Sequence, residues 1–197
     1  MKKKQKDTKS KILSTAGKMF AQKGYYGVSI NDIASELGIT KAALYYHFDS
    51  KSSLTEILLK NAVKELKIEI KKAVKRSKLP SDVLFNIVKT FLDFKLRHPE
   101  ITLLTSVGVV SDEKDPVLNT IVSIRRELTK FIRSIIEETN FIKKTTYKTI
   151  KIITTSLISF VLSPFHYEKK NTKQIAYDLS QLLNSDKESI NIQVEST

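Results

Sequence analysis

The sequence contains no cysteine, which excludes disulfide bonds and metal sites with cysteine ligands. It also lacks a long apolar run. The longest uncharged stretch, 152–167, is shorter than the roughly 20 residues that a membrane-spanning helix needs, and Pro164 interrupts it. The basic start, MKKKQK, is followed by no apolar segment, so we expect no signal peptide. These features predict a soluble, cytoplasmic protein without a bound metal or cofactor.

Glycine and proline are scarce, at five and four among 197 residues, and most of them fall where helix ends are expected. Apolar residues recur at helical spacing, and no alternating segments joined by Asn-Gly or Asp-Gly turns compete with that pattern. We therefore predict an all-α fold of about nine helices. They span residues 8–23, 29–37, 40–47, 50–77, 81–97, 99–109, 115–139, 143–163 and 171–184.

Positive charge is in excess and is concentrated near the start of the chain. Lys and Arg number 34 against 21 Asp and Glu, which gives a formal net charge of +13. The first 51 residues hold ten basic and four acidic residues, so about a quarter of the chain carries nearly half of the excess. A basic balance of this kind favours an anionic partner such as nucleic acid or a membrane surface.

Two short, sharply capped helices lie within this basic region. Ser29 has the position and side chain of an N-cap, and Gly38 is suited to close the helix in a left-handed conformation. Ile39 is then expected to fold back toward Ala34, while Thr40 caps the next helix. A pair of helices joined by a glycine turn is a helix-turn-helix, whose second helix enters the DNA major groove.

The segment ITKAALYYHFDSK supplies that second helix. Leu44 and Phe48 are four residues apart and are expected to face the core. Tyrosine hydroxyls and a histidine N–H suit phosphate oxygens, and a lysine suits a guanine edge or a phosphate. Taken alone, His47 would be a core or capping histidine; its place between Tyr46 and Phe48 favours phosphate contact. The residues left for DNA are Lys41, Ala42, Ala43, Tyr45, Tyr46 and His47.

Over residues 8–60 the sequence resembles the N-terminal module of the TetR family of bacterial transcriptional regulators. The matching features are Ile12-Leu13, Phe20, Gly24-Tyr25, Ser29, Ile33-Ala34, Gly38-Ile39-Thr40, Leu44-Tyr45, His47-Phe48, Ser50-Lys51 and Leu54. The resemblance implies that Ser29 touches phosphate, that the residues named above line the groove, and that Lys51 clamps the DNA backbone. It further implies a helix-turn-helix domain over residues 1–50 and a ligand-binding and dimerisation domain over residues 51–197. Two departures are Ala42, where the family often has glycine, and Gly17, which costs about 1 kcal/mol relative to alanine inside a helix.

Long apolar helix faces follow residue 50, and a hydrophobic core is their default interpretation. The resemblance implies that some of them surround a small-molecule pocket for a largely apolar effector, whose identity does not transfer within the family. The residues predicted as pocket walls are Phe91, Leu104 and Phe131.

The stretch YKTIKIITTSLISFVLSPF is nearly free of charge, and a helix that is apolar on most sides must be buried on most sides. It could be buried centrally in a single domain. The alternative that the resemblance favours is a homodimer, joined by an interface of two helices from each protomer. The predicted interface residues are Ile153, Leu157, Phe160, Val161, Ile175, Leu179 and Leu182.

The functional hypothesis is a ligand-responsive repressor that binds a palindromic, double-stranded operator as a dimer. The alternative is a nucleoid-binding protein of the same fold without a small-molecule effector. An enzyme has little support, since the three histidines have no neighbouring nucleophile or metal-ligand spacing. The lysines of the first six residues could form a solvated tail, or a disordered arm that lies along the minor groove.

Overall fold

The computed structural model describes residues 2–78, 80–108, 116–138, 154–156, 159 and 168–181. Helices and turns make up these ranges, with no β-strand among them, which confirms the all-α class. None of the helices in these ranges has the length and apolar character needed to cross a membrane. In chain order the elements are α1 (Lys2–Lys23), α2 (Ile30–Glu36), α3 (Lys41–Tyr45), α4 (Lys51–Lys75), α5 (Pro80–Arg97), the 3₁₀ helix η1 (Pro99–Gly108), α6 (Pro116–Glu138) and the 3₁₀ helix η2 (Lys169–Asn171). An α-helical segment, 172–181, follows η2.

The first of two compact units comprises the described residues of Met1–Glu65 and Arg97–Glu127. Helix α1 packs against η1 in this unit, and a Cβ added at Gly17 would lie 3.4 Å from the carboxyl carbon of Glu100. Glu100 is buried, and its Oε1 lies 3.1 Å from Nδ1 of His98. The apolar core of the unit includes Ile12, Ala16, Phe20, Val28, Ile33, Leu44, Phe48, Leu54, Leu59, Ile101 and Ile121.

The second unit comprises the described residues of Leu66–Leu96 and Leu128–Thr197. Its buried apolar residues include Leu66, Ile70, Leu84, Ile87, Val88, Phe91, Phe94, Leu128, Ile132, Ile135 and Ala176. Lys95 is also buried, on the same face of α5 as Phe91 and Leu92. Burial disfavours the charged ammonium and lowers the pKa of Lys95 below its usual value.

Helix α1 begins at Lys2, six residues before the predicted start. The hypothesis of a disordered basic arm is therefore wrong in this respect, since the lysines at positions 2–6 belong to a helix. Lysine is a good helix former, and Lys11 pairs with Asp7 at 3.1 Å across one helical turn. These local terms favour the helix over an extended arm.

The later elements follow the predicted order with local differences. The helix predicted over 99–109 is the 3₁₀ helix η1, and the one predicted over 171–184 is α-helical over 172–181. Most of the helix predicted over 143–163 lies outside the described residues. Helix α3 is shorter than the predicted 40–47, because Tyr46 already occupies its C-cap position.

Candidate nucleic-acid interface

Helix α2 begins with two reciprocal hydrogen bonds between Ser29 and Asp32. The Ser29 hydroxyl accepts from the Asp32 N–H at 3.1 Å, and Oδ2 of Asp32 accepts from the Ser29 N–H at 2.7 Å. The first bond confirms the predicted cap. The second completes a capping box, which the sequence analysis missed because that motif usually carries Glu or Gln at its fourth position. The Ser29 backbone N–H, and then its hydroxyl, hold the pKa of Asp32 below its ordinary value.

The turn between α2 and α3 depends on Gly38, whose φ of +63° lies in the left-handed region. Its N–H donates to the Ser35 carbonyl at 3.1 Å, and the Ile39 N–H donates to the Ala34 carbonyl at 3.0 Å. This pair of bonds satisfies the last carbonyls of α2 and reverses the chain. The predicted glycine closure and the return of Ile39 toward Ala34 are both confirmed.

Helix α3 starts immediately after this turn. The Thr40 hydroxyl accepts from the Ala43 N–H at 3.1 Å, as predicted for its N-cap. Leu44 is 0% exposed and Phe48 is 2% exposed, so both face the core as expected. Leu44 within this five-residue helix and Phe48, three residues after its end, fix which side of α3 faces outward.

The outward side of α3 carries small, basic and aromatic side chains. Lys41, Ala42 and Ala43 are exposed. Tyr45 is 42% exposed and Tyr46 is 73% exposed. The two alanines leave room for close approach to a surface, while the lysine and the tyrosine hydroxyls supply polar contacts.

Ring contacts hold several of these side chains in place. Nζ of Lys41 lies 5.7 Å from the ring centroid of Tyr45, one helical turn along α3. The rings of Tyr46 and His47 meet nearly edge-on, with centroids 5.2 Å apart and an interplanar angle of 80°. His47 is half-buried in the turn that follows α3. These contacts already restrict the rotamers of the free side chains, so less conformational entropy is lost when a ligand binds.

Lys51, the first residue of α4, is held by a pair of tyrosines that the sequence analysis did not select. Its Nζ lies 4.0 Å from the ring centroid of Tyr25 and 5.8 Å from that of Tyr26. The two rings are perpendicular, with centroids 4.9 Å apart. Tyr25 is buried and packs on Phe20, whereas Tyr26 is 52% exposed. Only tertiary structure brings these tyrosines to Lys51, so local spacing carried no signal for them.

The position of Lys51 is electrostatically unusual. The N-terminal end of a helix carries partial positive charge, which disfavours a cation in the first turn. The Ser50 hydroxyl accepts from the Ser53 N–H at 3.0 Å and so caps this end. The negative ring face of Tyr25 offsets part of the unfavourable interaction with the dipole. A cation held at this helix terminus is well placed to bind an anionic partner.

The residues predicted for an effector pocket fall in different units. Phe91 is fully buried in the second unit, and the half-buried Phe131 of that unit has Nζ of Lys67 and Lys71 at 5.3 and 5.7 Å from its ring centroid. Leu104 belongs to η1 in the first unit, and its side chain lies outside the described part of the structure.

The predicted interface residues fall mostly outside the described ranges. Ile175 and Leu179 are half-buried in segment 172–181. Outside the described ranges lie Ile153, Leu157, Phe160, Val161 and Leu182. The dimer interface therefore stays a prediction.

A cleft of about 620 Å³ lies within the second unit, between the beginning of α5 and segment 172–181. It contains none of the residues that we predicted as pocket walls. The side chains that line it are Asp82, Phe85, Lys170, Lys173, Gln174, Tyr177, Ser180 and Gln181. In the part of the chain that the structure describes, no group of three His, Asp or Glu side chains could hold a metal ion.

Residues 12–57 match the model of a family described as bacterial regulatory proteins, tetR family. The chain is also similar to IcaR of Staphylococcus aureus, the negative transcriptional regulator of the icaADBC biofilm operon. The two are 30% identical over 131 residues, which cover 66% of this chain and 70% of IcaR.

Two solved structures extend the similarity to most of the chain. A TetR-family regulator from Bordetella parapertussis superposes with a TM-score of 0.71 at 22% identity, covering 89% of this chain and 93% of that one. AibR, solved with isovaleryl coenzyme A and operator DNA, gives a TM-score of 0.66 at 19% identity, covering 88% and 96%. At these identities the similarity establishes a shared fold.

Proposed function

Because the chain belongs to the TetR family of bacterial regulatory proteins, we propose that it is a transcriptional repressor that binds a palindromic operator as a homodimer and is released by a small-molecule effector. The observation that carries this proposal is the outward side of α3, where Tyr45 and Tyr46 are 42% and 73% exposed beside Lys41, Ala42 and Ala43. A surface of this composition matches the grooves and phosphates of duplex DNA.

The side chains divide into positioning and reading roles. Tyr46 and Lys51 bind phosphates, so they raise the affinity for every sequence and fix the register of α3 on the duplex. Lys41, at the beginning of α3, reads a base edge in the major groove, where lysine suits guanine O6 and N7. Ala42 and Ala43 let the helix approach the bases. The remaining phosphate contacts come from Ser29, Thr40, Tyr45 and His47.

Residues 1–50 are the DNA-binding domain in this proposal, and residues 51–197 bind the effector and form the dimer. Two copies are needed because a palindromic operator presents half-sites one helical turn apart, about 34–36 Å. Half-buried Ile175 and Leu179 support a contact surface on segment 172–181. The proposed interface also includes the undescribed apolar positions given in the sequence analysis.

The proposed effector is a largely apolar small molecule. It releases the operator by binding more tightly to a conformer in which the two α3 helices no longer match the groove spacing. IcaR is described as a negative regulator, and AibR was solved with both an acyl coenzyme A and operator DNA. The name of IcaR supports repression, and AibR supports the binding of a small molecule and of operator DNA by a protein of this fold. The proposal places the protein with the chromosome in the cytoplasm and assigns it no catalytic role.

Mapping of the chromosomal binding sites tests this function. Binding at one or a few promoters, with higher transcription of the adjoining genes after deletion of the regulator, is the expected result. Dozens of dispersed sites without a local transcriptional effect would instead support a nucleoid-binding protein of the same fold.

Light scattering should give twice the 22.4 kDa mass of one chain. A mass of one chain, free and on DNA, contradicts the dimer.

A further inference from the structure

The cleft in the second unit has the size of a small-molecule site and two aromatic walls. Its volume of about 620 Å³ lies within the range of roughly 300–1,000 Å³ that is typical of ligand pockets. One wall comes from the beginning of α5, where Phe85 is half-buried. The other comes from η2 and segment 172–181, where Tyr177 is 53% exposed. Two aromatic side chains from distant parts of the sequence therefore line one cavity.

The uncharged polar side chains at the cleft differ in whether the protein satisfies them. The Ser180 hydroxyl donates to the Tyr177 carbonyl at 2.7 Å. The side-chain amide of Gln174 donates to Oδ1 of Asp178 at 2.8 Å. Gln181 also lines the cleft, but its side-chain amide has no hydrogen-bond partner among the residues that the structure describes. Its donor and acceptor are therefore available to a ligand.

The charged side chains at the cleft leave one cation without a partner. Asp82, in the first turn of α5, accepts from the Lys78 N–H at 3.2 Å, and a carboxylate at this end of a helix also interacts favourably with the helix dipole. Nζ of Lys170 lies 2.7 Å from Oε2 of Glu168. Within the described ranges Lys173 has no acidic partner. The ammonium of Lys173 is therefore available to an anionic group.

The two available groups lie on one side of segment 172–181. Lys173, Tyr177 and Gln181 follow each other at steps of four residues, and the helix rises about 12 Å from the first to the last. An extended molecule in the cleft would meet a cation, then aromatic rings, then a neutral amide. Ile175 and Leu179 lie on the opposite side, about 200° around the helix from Tyr177. The dimer contact proposed there would leave the cleft open.

We propose that this cleft binds a small amphipathic organic anion. Its carboxylate pairs with Lys173, its flat apolar body packs against Phe85 and Tyr177, and a neutral hydrogen-bonding group at its far end meets Gln181. A purely apolar ligand would gain nothing from the available cation and amide, and two lysines at the cleft would repel a cationic ligand. The inference goes beyond the proposed function, because this site needs no DNA and contains none of the predicted pocket walls.

The probe is 6-hydroxy-2-naphthoate, a fluorescent aromatic carboxylate with a hydroxyl group at its far end. Its neutral counterpart is 6-hydroxymethyl-2-naphthol, in which a hydroxymethyl group replaces the carboxylate. The fluorescence anisotropy of each is followed as the full-length protein is added without DNA. Lys173→Gln removes the proposed counter-charge, and Lys169→Gln removes the charge of an exposed lysine outside the cleft lining. Tyr177→Ala removes the ring, whereas Tyr177→Phe keeps it. Circular dichroism verifies the fold of each variant.

Lys173→Gln should weaken binding of the carboxylate about two- to fivefold, as expected for an ion pair at an exposed lysine, and should leave binding of the neutral counterpart unchanged. Lys169→Gln should affect neither probe. Tyr177→Ala should weaken binding of both probes about two- to tenfold, and Tyr177→Phe should not. The inference is overturned if the wild type does not bind the carboxylate at millimolar concentration, if the two lysine variants behave alike, or if Tyr177→Ala has no effect. Because no DNA is present, such a result would leave the proposed function in place.

Discussion

Replacing Tyr25 with leucine should weaken DNA binding through its effect on Lys51. The Tyr25 ring holds the Lys51 ammonium at 4.0 Å before any DNA is present. Without the ring, the lysine samples more rotamers and must be ordered when it binds a phosphate. Tyr25→Phe retains the ring face, so this variant should bind DNA nearly as well as the wild type.

The expected loss of affinity follows from the conformational freedom of Lys51 that Tyr25 restricts. Ordering one long side chain at an interface costs about 0.5–1.5 kcal/mol, and a cation over an aromatic ring at a partly exposed site contributes about 0.5–1 kcal/mol. Lys51 is half-buried, so this range applies. Tyr25→Leu should therefore raise the Kd roughly two- to tenfold. Because the charge of Lys51 remains, the salt slope should change little.

A double-mutant cycle measures this coupling. The wild type, Tyr25→Leu, Lys51→Ala and the double variant are titrated with operator DNA by fluorescence anisotropy, after circular dichroism has verified the fold of each. If Tyr25 acts through Lys51, its substitution should have almost no effect once Lys51 is alanine. The reasoning is refuted if Tyr25→Leu weakens binding equally in both backgrounds, since Tyr25 would then act through the packing of the first unit.

Further predictions concern base reading, backbone conformation and acid stability. Lys41→Ala should cost roughly 1–3 kcal/mol on the operator and much less on random DNA, as measured by competition titrations; equal losses on both would remove its base-reading role. Gly38→Ala should lower the free energy of unfolding by about 1 kcal/mol, because the φ of Gly38 is +63°. Gly17→Ala should raise the free energy of unfolding by up to about 1 kcal/mol, since the new methyl group would contact Glu100 at an ordinary 3.4 Å. Urea denaturation measures both changes, and the opposite order of stabilities would contradict the conformations described. The pKa of Asp32 is lowered in the folded protein, so its ionised carboxylate stabilises the fold at pH values above the pKa of the unfolded chain, and this contribution is lost as the pH falls through the folded-state pKa. Asp32→Asn should therefore flatten the decline in stability below about pH 4. An unchanged acid profile would show that the capping box contributes no pH dependence.

The parts of the interface that depend on neighbours along the chain could be predicted from the sequence. The caps at Ser29 and Thr40 and the glycine turn at Gly38 are local arrangements of hydrogen bonds, and residue type and spacing determine them. The core positions Leu44 and Phe48 follow from helical periodicity in the same way.

Features set by tertiary contacts were harder to anticipate. Tyr25 meets Lys51 only after α1, α2 and α3 have packed, so no spacing rule connects the two residues. The helical start of α1 was missed because a cluster of like charges suggested disorder, although lysine itself favours a helix. The predicted pocket walls rested on apolar residues alone, and that criterion does not separate a ligand site from a core.

The most direct test of the central claim is a salt-dependent titration of operator DNA with Tyr46→Phe and Lys51→Ala. Tyr177→Phe is a matched control at another exposed tyrosine, and Lys130→Ala is one at another exposed lysine. If α3 and the start of α4 face DNA, Tyr46→Phe should weaken binding to all sequences by about 1.5 kcal/mol, and Lys51→Ala should lower the salt slope by about 0.9. If both variants keep the affinity and slope of their controls while remaining folded, this surface does not bind DNA.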